Sequence, residues 1–202
     1  MGLFLSKTCA DLLLHPVFSP KRFPFVSLQF ENSVSRTGRH SQRYDGKGYR
    51  QVVGCIPYRY RETSCQSSSI ENLEVLVVSS QKGQGMMFPK GGWETDETVE
   101  DAAMRETHEE AGVVGKVENC LGNWQYKSKR QSIMHEVYMF SLLVNKQLDR
   151  WPEKNLRERR WMTVAEAREV CQHGWMKEAL DVLVGQQLQP QRKEETEEKS
   201  RA

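Results

Sequence analysis

Gly91-Gly92-Trp93-Glu94-Thr95-Asp96-Glu97, continued by residues 98–104 and then by Arg105-Glu106-Thr107-His108-Glu109-Glu110-Ala111-Gly112-Val113, decides the reading of this chain. Residues 98–111 are rich in Ala, Glu and Met, which favour helix, and Gly112 follows as a helix stop. At about 100° per residue, Glu106, Glu109 and Glu110 fall on one stripe, at i, i+3 and i+4. Val99, Ala103, Thr107 and Ala111 follow an i+4 row that can pack inward. Like charges at that spacing cost a few tenths of a kcal/mol per pair, and Glu97, Glu100 and Asp101 raise the local charge further. A solvated acidic face would tolerate this. Clustered carboxylate oxygens are also what a hard divalent cation requires: magnesium takes one or two carboxylates together with waters and phosphate oxygens. A metal so held beside a phosphoanhydride neutralises the leaving group and activates water. The charges alone leave both readings open.

Outward from this stretch the chain reads as interleaved strands and helices. Residues 51–60 (QVVGCIPYRY) and 73–80 (LEVLVVSS) are β-branched and aliphatic and read as buried strands. Residues 61–72 between them are polar and Ser-rich, a surface loop. Residues 81–85 read as a turn before a short strand at 86–88; 133–144 is a further strand, with 116–129 a weaker one before it. Thr163-Val164-Ala165-Glu166 is a capping box opening a helix to about residue 172, and 175–188 forms another. The fold class is therefore α/β with a mixed sheet. Trp161 and Trp175 read as packing residues. His108 lies between the carboxylates and is a poor candidate ligand, and His135 has no evident partner.

The chain has 202 residues, a formal charge of +2 and 9% aromatic residues, with a mean hydropathy of −0.69. That length suits one domain with tails, or at most two small ones. No uncharged apolar run reaches about 18 residues, which excludes a transmembrane helix on hydropathy. A pI of about 8.2 is too mild to indicate nucleic acid. The five cysteines are scattered with no CxxC pair, so neither a zinc ribbon nor a thioredoxin-like motif is supported; the spread fits reduced, mostly buried thiols. Residues 1–43 stand apart: six basic residues against two acidic ones, with six serines. This is the composition of an organelle transit peptide, mitochondrial in the first instance, with chloroplast or cytosol as alternatives. A plain disordered extension and, from Met1-Gly2-Leu3-Phe4-Leu5-Ser6, N-myristoylation are the competing readings. Residues 44–188 form the expected domain, and 189–202, with four basic and four acidic residues, a disordered tail.

The full spacing is more specific than its charges. Gly91, five residues, Glu97, seven residues, then Arg105-Glu106-x-x-Glu109-Glu110-x-Gly112-Val113 resembles the box of the Nudix hydrolase family, with Thr107 where the family usually has an aliphatic residue. The resemblance implies an α/β/α sandwich and Mg²⁺- or Mn²⁺-dependent hydrolysis of a phosphoanhydride. It implies Glu106 and Glu110 as metal ligands, Glu109 as metal ligand or general base, Glu97 and Arg105 as a supporting pair, and Gly91 and Gly92 as a loop turning sharply before the helix. Residues 43–50 (RYDGKGYR), 74–80 (EVLVVSS), 88–93 (FPKGGW), Trp151-Pro152-Glu153 and 157–161 (RERRW) are similar to the diphosphoinositol polyphosphate phosphohydrolase branch in its plant-type form, over about residues 43–185. That implies diphosphoinositol polyphosphates, diadenosine polyphosphates or both as small anionic substrates. Such substrates need fixed cations and donors; Arg50, Lys90, Lys127, Lys129 and Arg130, with Ser79 and Ser80, are the candidates. Lys90 departs from the animal-type pattern, which has Gly there. The alternatives are a pyrophosphatase of ADP-ribose, NADH or coenzyme A derivatives, or a binding module that has lost catalysis; no SQPWPFPxS-like array follows the box, and all its carboxylates remain.

Overall fold

The computed structural model describes residues 35–36, 41–61, 70–81, 85–128, 133–171 and 173–188. The strands are β1 (Arg50–Tyr60), β2 (Leu73–Ser79), β3 (Met86–Met87), β4 (Lys90–Gly92), β5 (Val113–Lys127), β6 (Met134–Gln147) and β7 (Arg159–Thr163). The helices are α1 (Val99–Ala111), α2 (Val164–Val170) and α3 (Gly174–Leu188). All seven strands join one mixed sheet in the order β3-β2-β1-β6-β5, with β4 added to β1 and β7 to β2. β1 and β6 run parallel, and the other named pairs are antiparallel.

Both faces of the sheet are covered, so its central strands are apolar on both sides. Val52, Ile56 and Tyr58 of β1 pack with Val137 and Met139 of β6 and with Met176, Leu180 and Leu183 of α3. Val53 and Cys55 face the opposite way, with Tyr138, Phe140 and Leu142, against Val99, Ala102 and Ala103 of α1. Complete burial of a side chain such as Leu180 contributes about 1.5–3 kcal/mol relative to leaving it in water. The strict alternation on β1 therefore fixes which face receives α1.

Helix boundaries follow local chemistry. Thr98 caps α1 by accepting the Asp101 N–H at 3.1 Å, and Gly112 ends it in the left-handed region at φ 61. Thr163 and Glu166 form the expected capping box of α2. Two readings need correction. Gly91 and Gly92 are not a turn: they lie in β4, which pairs with β1 at Val53↔Gly91 and Val52↔Gly92, and the turn follows them. Among the described residues Cys55 and Cys171 are buried free thiols, but Cys120 is disulfide-bonded. The expected N-terminal extension, apart from residues 35–36 and 41–43, and the tail 189–202 also lie outside them. Among the described residues, no helix is long and apolar enough to cross a membrane.

Candidate active site

β4 and α1 bring the box together. Pairing to the central strand fixes Lys90–Gly92, and the loop behind it closes through Trp93 Nε1 to Glu97 O at 3.1 Å and Glu94 N to Glu97 Oε1 at 3.0 Å. Arg43 braces the loop from outside, donating to Glu94 O at 2.9 Å and lying 4.5 Å over the Trp93 ring. At its far end α1 is held by Arg159, whose Nη1 donates to Ala111 O and Gly112 O, both at 2.9 Å. A cation at a helix C-terminus satisfies free carbonyls and opposes the dipole.

The acidic stripe of α1 is not a solvated face. Glu106, Glu109 and Glu110 are all buried, at 9%, 5% and 5% exposure, while Val99, Ala103, Thr107 and Ala111 pack inward as the i+4 row requires. Arg105 organises the carboxylates. It donates to Glu97 through Nη2 at 2.6 Å and Nε at 2.9 Å, to Glu106 through Nη1 at 2.7 Å, and to Gly92 O at 3.0 Å; its Nη1 is 3.6 Å from Glu109 Oε2. Burial opposes the Arg105 charge, but the hydrogen bonds to Glu97 and Glu106 override it and hold the guanidinium's pKa above its ordinary range. The Glu106 carboxylate lies directly over Gly91, where an added Cβ would sit 1.9 Å from Oε2. Close approach, not a turn, is what demands glycine there.

Glu110 reaches into the sheet. Its Oε2 accepts the Lys90 backbone N–H at 2.9 Å, and its Oε1 accepts from Arg157 Nη2. Arg157 also donates to Glu153 Oε2 at 2.6 Å and to Ser79 O at 3.0 Å. Burial raises the pKa of all three stripe carboxyls. It carries Glu109 to about 7, with the Glu106 charge adding and Arg105 opposing, and Glu110 to about 7 against the pull of Arg157 and Lys90. Burial likewise lowers the Lys90 ammonium, which is flanked by Glu110 and Arg157.

The oxygen-only donor set and its excess negative charge suit a hard divalent cation. Among the described residues, no three His, Cys, Asp or Glu side chains already converge as a cage, because Arg105 and Arg157 hold Glu106 and Glu110. The charges and donor types of the site fit such an ion.

The substrate candidates divide. Arg50 starts β1 beside the site: its Nε donates to Gln42 Oε1 at 2.5 Å, and a Cβ on Gly92 would lie 2.8 Å from its Nη2. Lys90 extends its ammonium to Met87 Sδ at 3.5 Å. Ser79 and Ser80 line a cleft of about 610 Å³ together with Lys154, Arg157 and Arg160. Lys127 ends β5, and Lys129 and Arg130 lie outside the described residues. Trp175 is a core residue, as expected. His135 does have a partner, the Tyr126 hydroxyl at 3.0 Å from Nδ1. Sequence reasoning missed Arg157 and Arg36 at this site. Arg157 sat in a run of charges with nothing to single it out, and Arg36 in the N-terminal extension.

Helices over a mixed sheet, with guanidinium-braced carboxylates bordered by further cations, make an α/β domain with a charge-polarised site. Residues 49–183 match the NUDIX domain family, and the chain belongs to the Nudix hydrolases. It is 56% identical over 175 residues to Nudix hydrolase 4 of Arabidopsis thaliana, covering 85% of this chain and 84% of that one. It is 62% identical over 151 residues to Nudix hydrolase 18, mitochondrial, of the same plant, covering 75% and 85%. A more distant relative is the mouse diphosphoinositol polyphosphate phosphohydrolase 3-alpha, 32% identical over 134 residues, covering 65% and 75%. The fold is shared with the crystal structure of the C. elegans Ap4A hydrolase at a TM-score of 0.50 and 19% identity, covering 67% of this chain and 96% of that one. The protein is thus a Nudix-type phosphoanhydride hydrolase, of a family that generally uses a divalent metal ion.

Proposed function

We propose that this enzyme hydrolyses diphosphoinositol polyphosphates, diadenosine polyphosphates or both, using water and a divalent cation. The observation that carries the reading is the buried stripe Glu106, Glu109 and Glu110 set against the cations Lys90, Arg50 and Arg157. Buried carboxylates bordered by cations match a metal-bound, densely anionic polyphosphate. The name of the mouse relative supports the inositol pyrophosphate class.

Glu106, Glu110 and Glu109 would hold Mg²⁺ or Mn²⁺, which supplies charge neutralisation at the phosphoanhydride. Glu109 takes a proton from the attacking water as its oxygen bonds to phosphorus and the P–O anhydride bond breaks. The bridging oxygen leaves with the departing phosphate. Arg105 and Glu97 act at one remove by fixing the carboxylates. Arg50, Lys90, Ser79, Ser80, Lys129 and Arg130 bind the remaining phosphates, and Gly91 and Gly92 keep the approach open.

Residues 44–188 form the catalytic domain in this account, preceded by a basic targeting extension and followed by a charged tail. The name of the mitochondrial relative supports mitochondrial delivery, which a fluorescent fusion of residues 1–43 tests: a diffuse cytosolic signal contradicts it. The substrate is tested by a panel with Mg²⁺ and with Mn²⁺. A higher kcat/KM for an inositol pyrophosphate or diadenosine polyphosphate than for ADP-ribose, NADH or coenzyme A is expected; the reverse order overturns the assignment.

A further inference from the structure

Arg105 and Arg157 offer carboxylates the same guanidinium edge, Nε beside Nη2, and fill it differently. On Arg105 one residue takes the whole edge: both oxygens of Glu97 accept, at 2.9 Å from Nε and 2.6 Å from Nη2. On Arg157 the edge is divided between two residues. Nε donates to Glu153 Oε2 at 2.6 Å and Nη2 to Glu110 Oε1, while Nη1 reaches Ser79 O at 3.0 Å. Glu153 stands one helical turn before Arg157, whose N–H donates to Glu153 O at 3.0 Å, and the Glu153 N–H donates to Glu109 O at 3.1 Å. The turn is thereby pinned to α1 next to Glu110. All three side chains are nearly buried, Glu153 at 12% exposure and Arg157 and Glu110 at 7%. Two carboxylates on one guanidinium leave a negative charge uncancelled within this triad, and burial makes that costly unless a further cation offsets it. Lys90 meets Glu110 through its backbone N–H, its ammonium turning to Met87 Sδ.

We propose that Glu153 is a positioning residue for Glu110: by occupying the Nε corner of Arg157 it keeps Glu110 from closing a two-point pair of the kind Glu97 makes, and so leaves Glu110 able to hold a divalent cation. The proposal rests on the reading of Glu110 as a metal ligand. A two-point arginine pair engages both carboxylate oxygens in one plane and cancels their charge; a single contact fixes the side chain without doing either. Among the described residues, Glu110 Oε1 accepts from Arg157 and Oε2 from the Lys90 N–H. A carboxylate oxygen has about two acceptor positions, so each keeps one for an ion. Glu153 thus lets Arg157 orient Glu110 while the triad stays negative.

The test measures Mn²⁺ binding to the full chain by electron paramagnetic resonance, without substrate, for wild type, Glu153→Ala and Glu153→Gln. Glu153→Ala frees the Nε corner and should weaken binding by about 10- to 100-fold, the usual effect of removing a group that orients a ligand; wild-type affinity overturns the proposal. Glu153→Gln keeps an oxygen that accepts from Nε and should bind Mn²⁺ more tightly than Glu153→Ala. Equal affinities for the two variants would mean that Glu153 acts only through its charge or as a ligand itself, and overturn the positioning role. Should Glu153→Ala fail to fold, Glu153→Asp decides, because it keeps the charge but withdraws the oxygen from Nε: weaker binding is expected, and wild-type binding overturns the proposal. Glu110→Gln, run alongside, separates the two possible failures. Binding unchanged by Glu110→Gln overturns the ligand reading and the proposal with it, whereas binding weakened by Glu110→Gln and untouched by Glu153→Ala overturns the proposal alone.

Discussion

Arg105 and Glu97 form a two-point fork, Nη2 to Oε1 at 2.6 Å and Nε to Oε2 at 2.9 Å, and the same guanidinium supports Glu106. Planar bidentate geometry of this kind is beyond a lysine ammonium. Arg105→Lys should therefore lower kcat while leaving a folded protein. Arg105→Ala leaves buried carboxylates without a counter-charge and should destabilise by about 3–5 kcal/mol. Urea unfolding and steady-state kinetics on both variants check this; a lysine variant with unaltered kcat would show that the fork plays no part in catalysis.

Gly91 has a different sensitivity. A methyl group at this position would occupy the space of the Glu106 carboxylate, so Gly91→Ala must push Glu106 aside or move β4 off β1. Overpacking of this kind costs about 1–3 kcal/mol. The expected outcome is a folded protein with a large loss of kcat, measured against Gly174→Ala, where an added Cβ meets nothing within 4 Å.

The site and the fold were legible in the sequence to different extents, for physical reasons. α1 was readable to within one residue because its cap Thr98 and its stop Gly112 are local signals. The helix period put Glu106, Glu109 and Glu110 on one stripe, and the resemblance to the Nudix box, not the period, made them metal-ligand candidates. β4 was not readable: Gly91 and Gly92 have no strand propensity of their own, and only pairing with β1 makes them a strand. β7, Arg159–Thr163, was hidden because its adjacent arginines break the alternation, and its partner β2 lies far away in sequence. The role of Arg157 depends on meeting Glu110 across 47 residues, which no spacing rule specifies.

Acidity gives a further prediction. Burial raises the Glu109 carboxyl to about 7 from an unfolded value near 4.5, so between those values the folded state binds more protons than the unfolded one. Stability contributed by this group is thus highest at low pH and falls as pH rises towards 7. In EDTA, the Tm of the wild type should decline from pH 5 to pH 7.5 more steeply than that of Glu109→Gln. Mg²⁺ should remove much of the difference, because an ion replaces the lost proton. Identical slopes for the two proteins would contradict the assignment.

The Cys55 thiol is fully buried between α1 and β1, and burial pushes it up to about 12. A thiolate is the reactive form, so Cys55 should resist iodoacetamide at pH 8 in the native state and react only on unfolding. Cys171, raised by burial to about 11, should behave in the same way. Peptide mapping after timed alkylation reads both, and rapid native labelling of Cys55 would place it in a more open environment than the one described.

The central claim is that Glu109 withdraws the proton from water during phosphoanhydride hydrolysis. The most direct measurement is Mg²⁺-dependent phosphate release from an inositol pyrophosphate by wild type and by Glu109→Gln, at saturating metal and substrate. Loss of a general base should lower kcat by about 10²- to 10⁴-fold with the fold intact by circular dichroism. Equal rates for the two proteins would contradict the account.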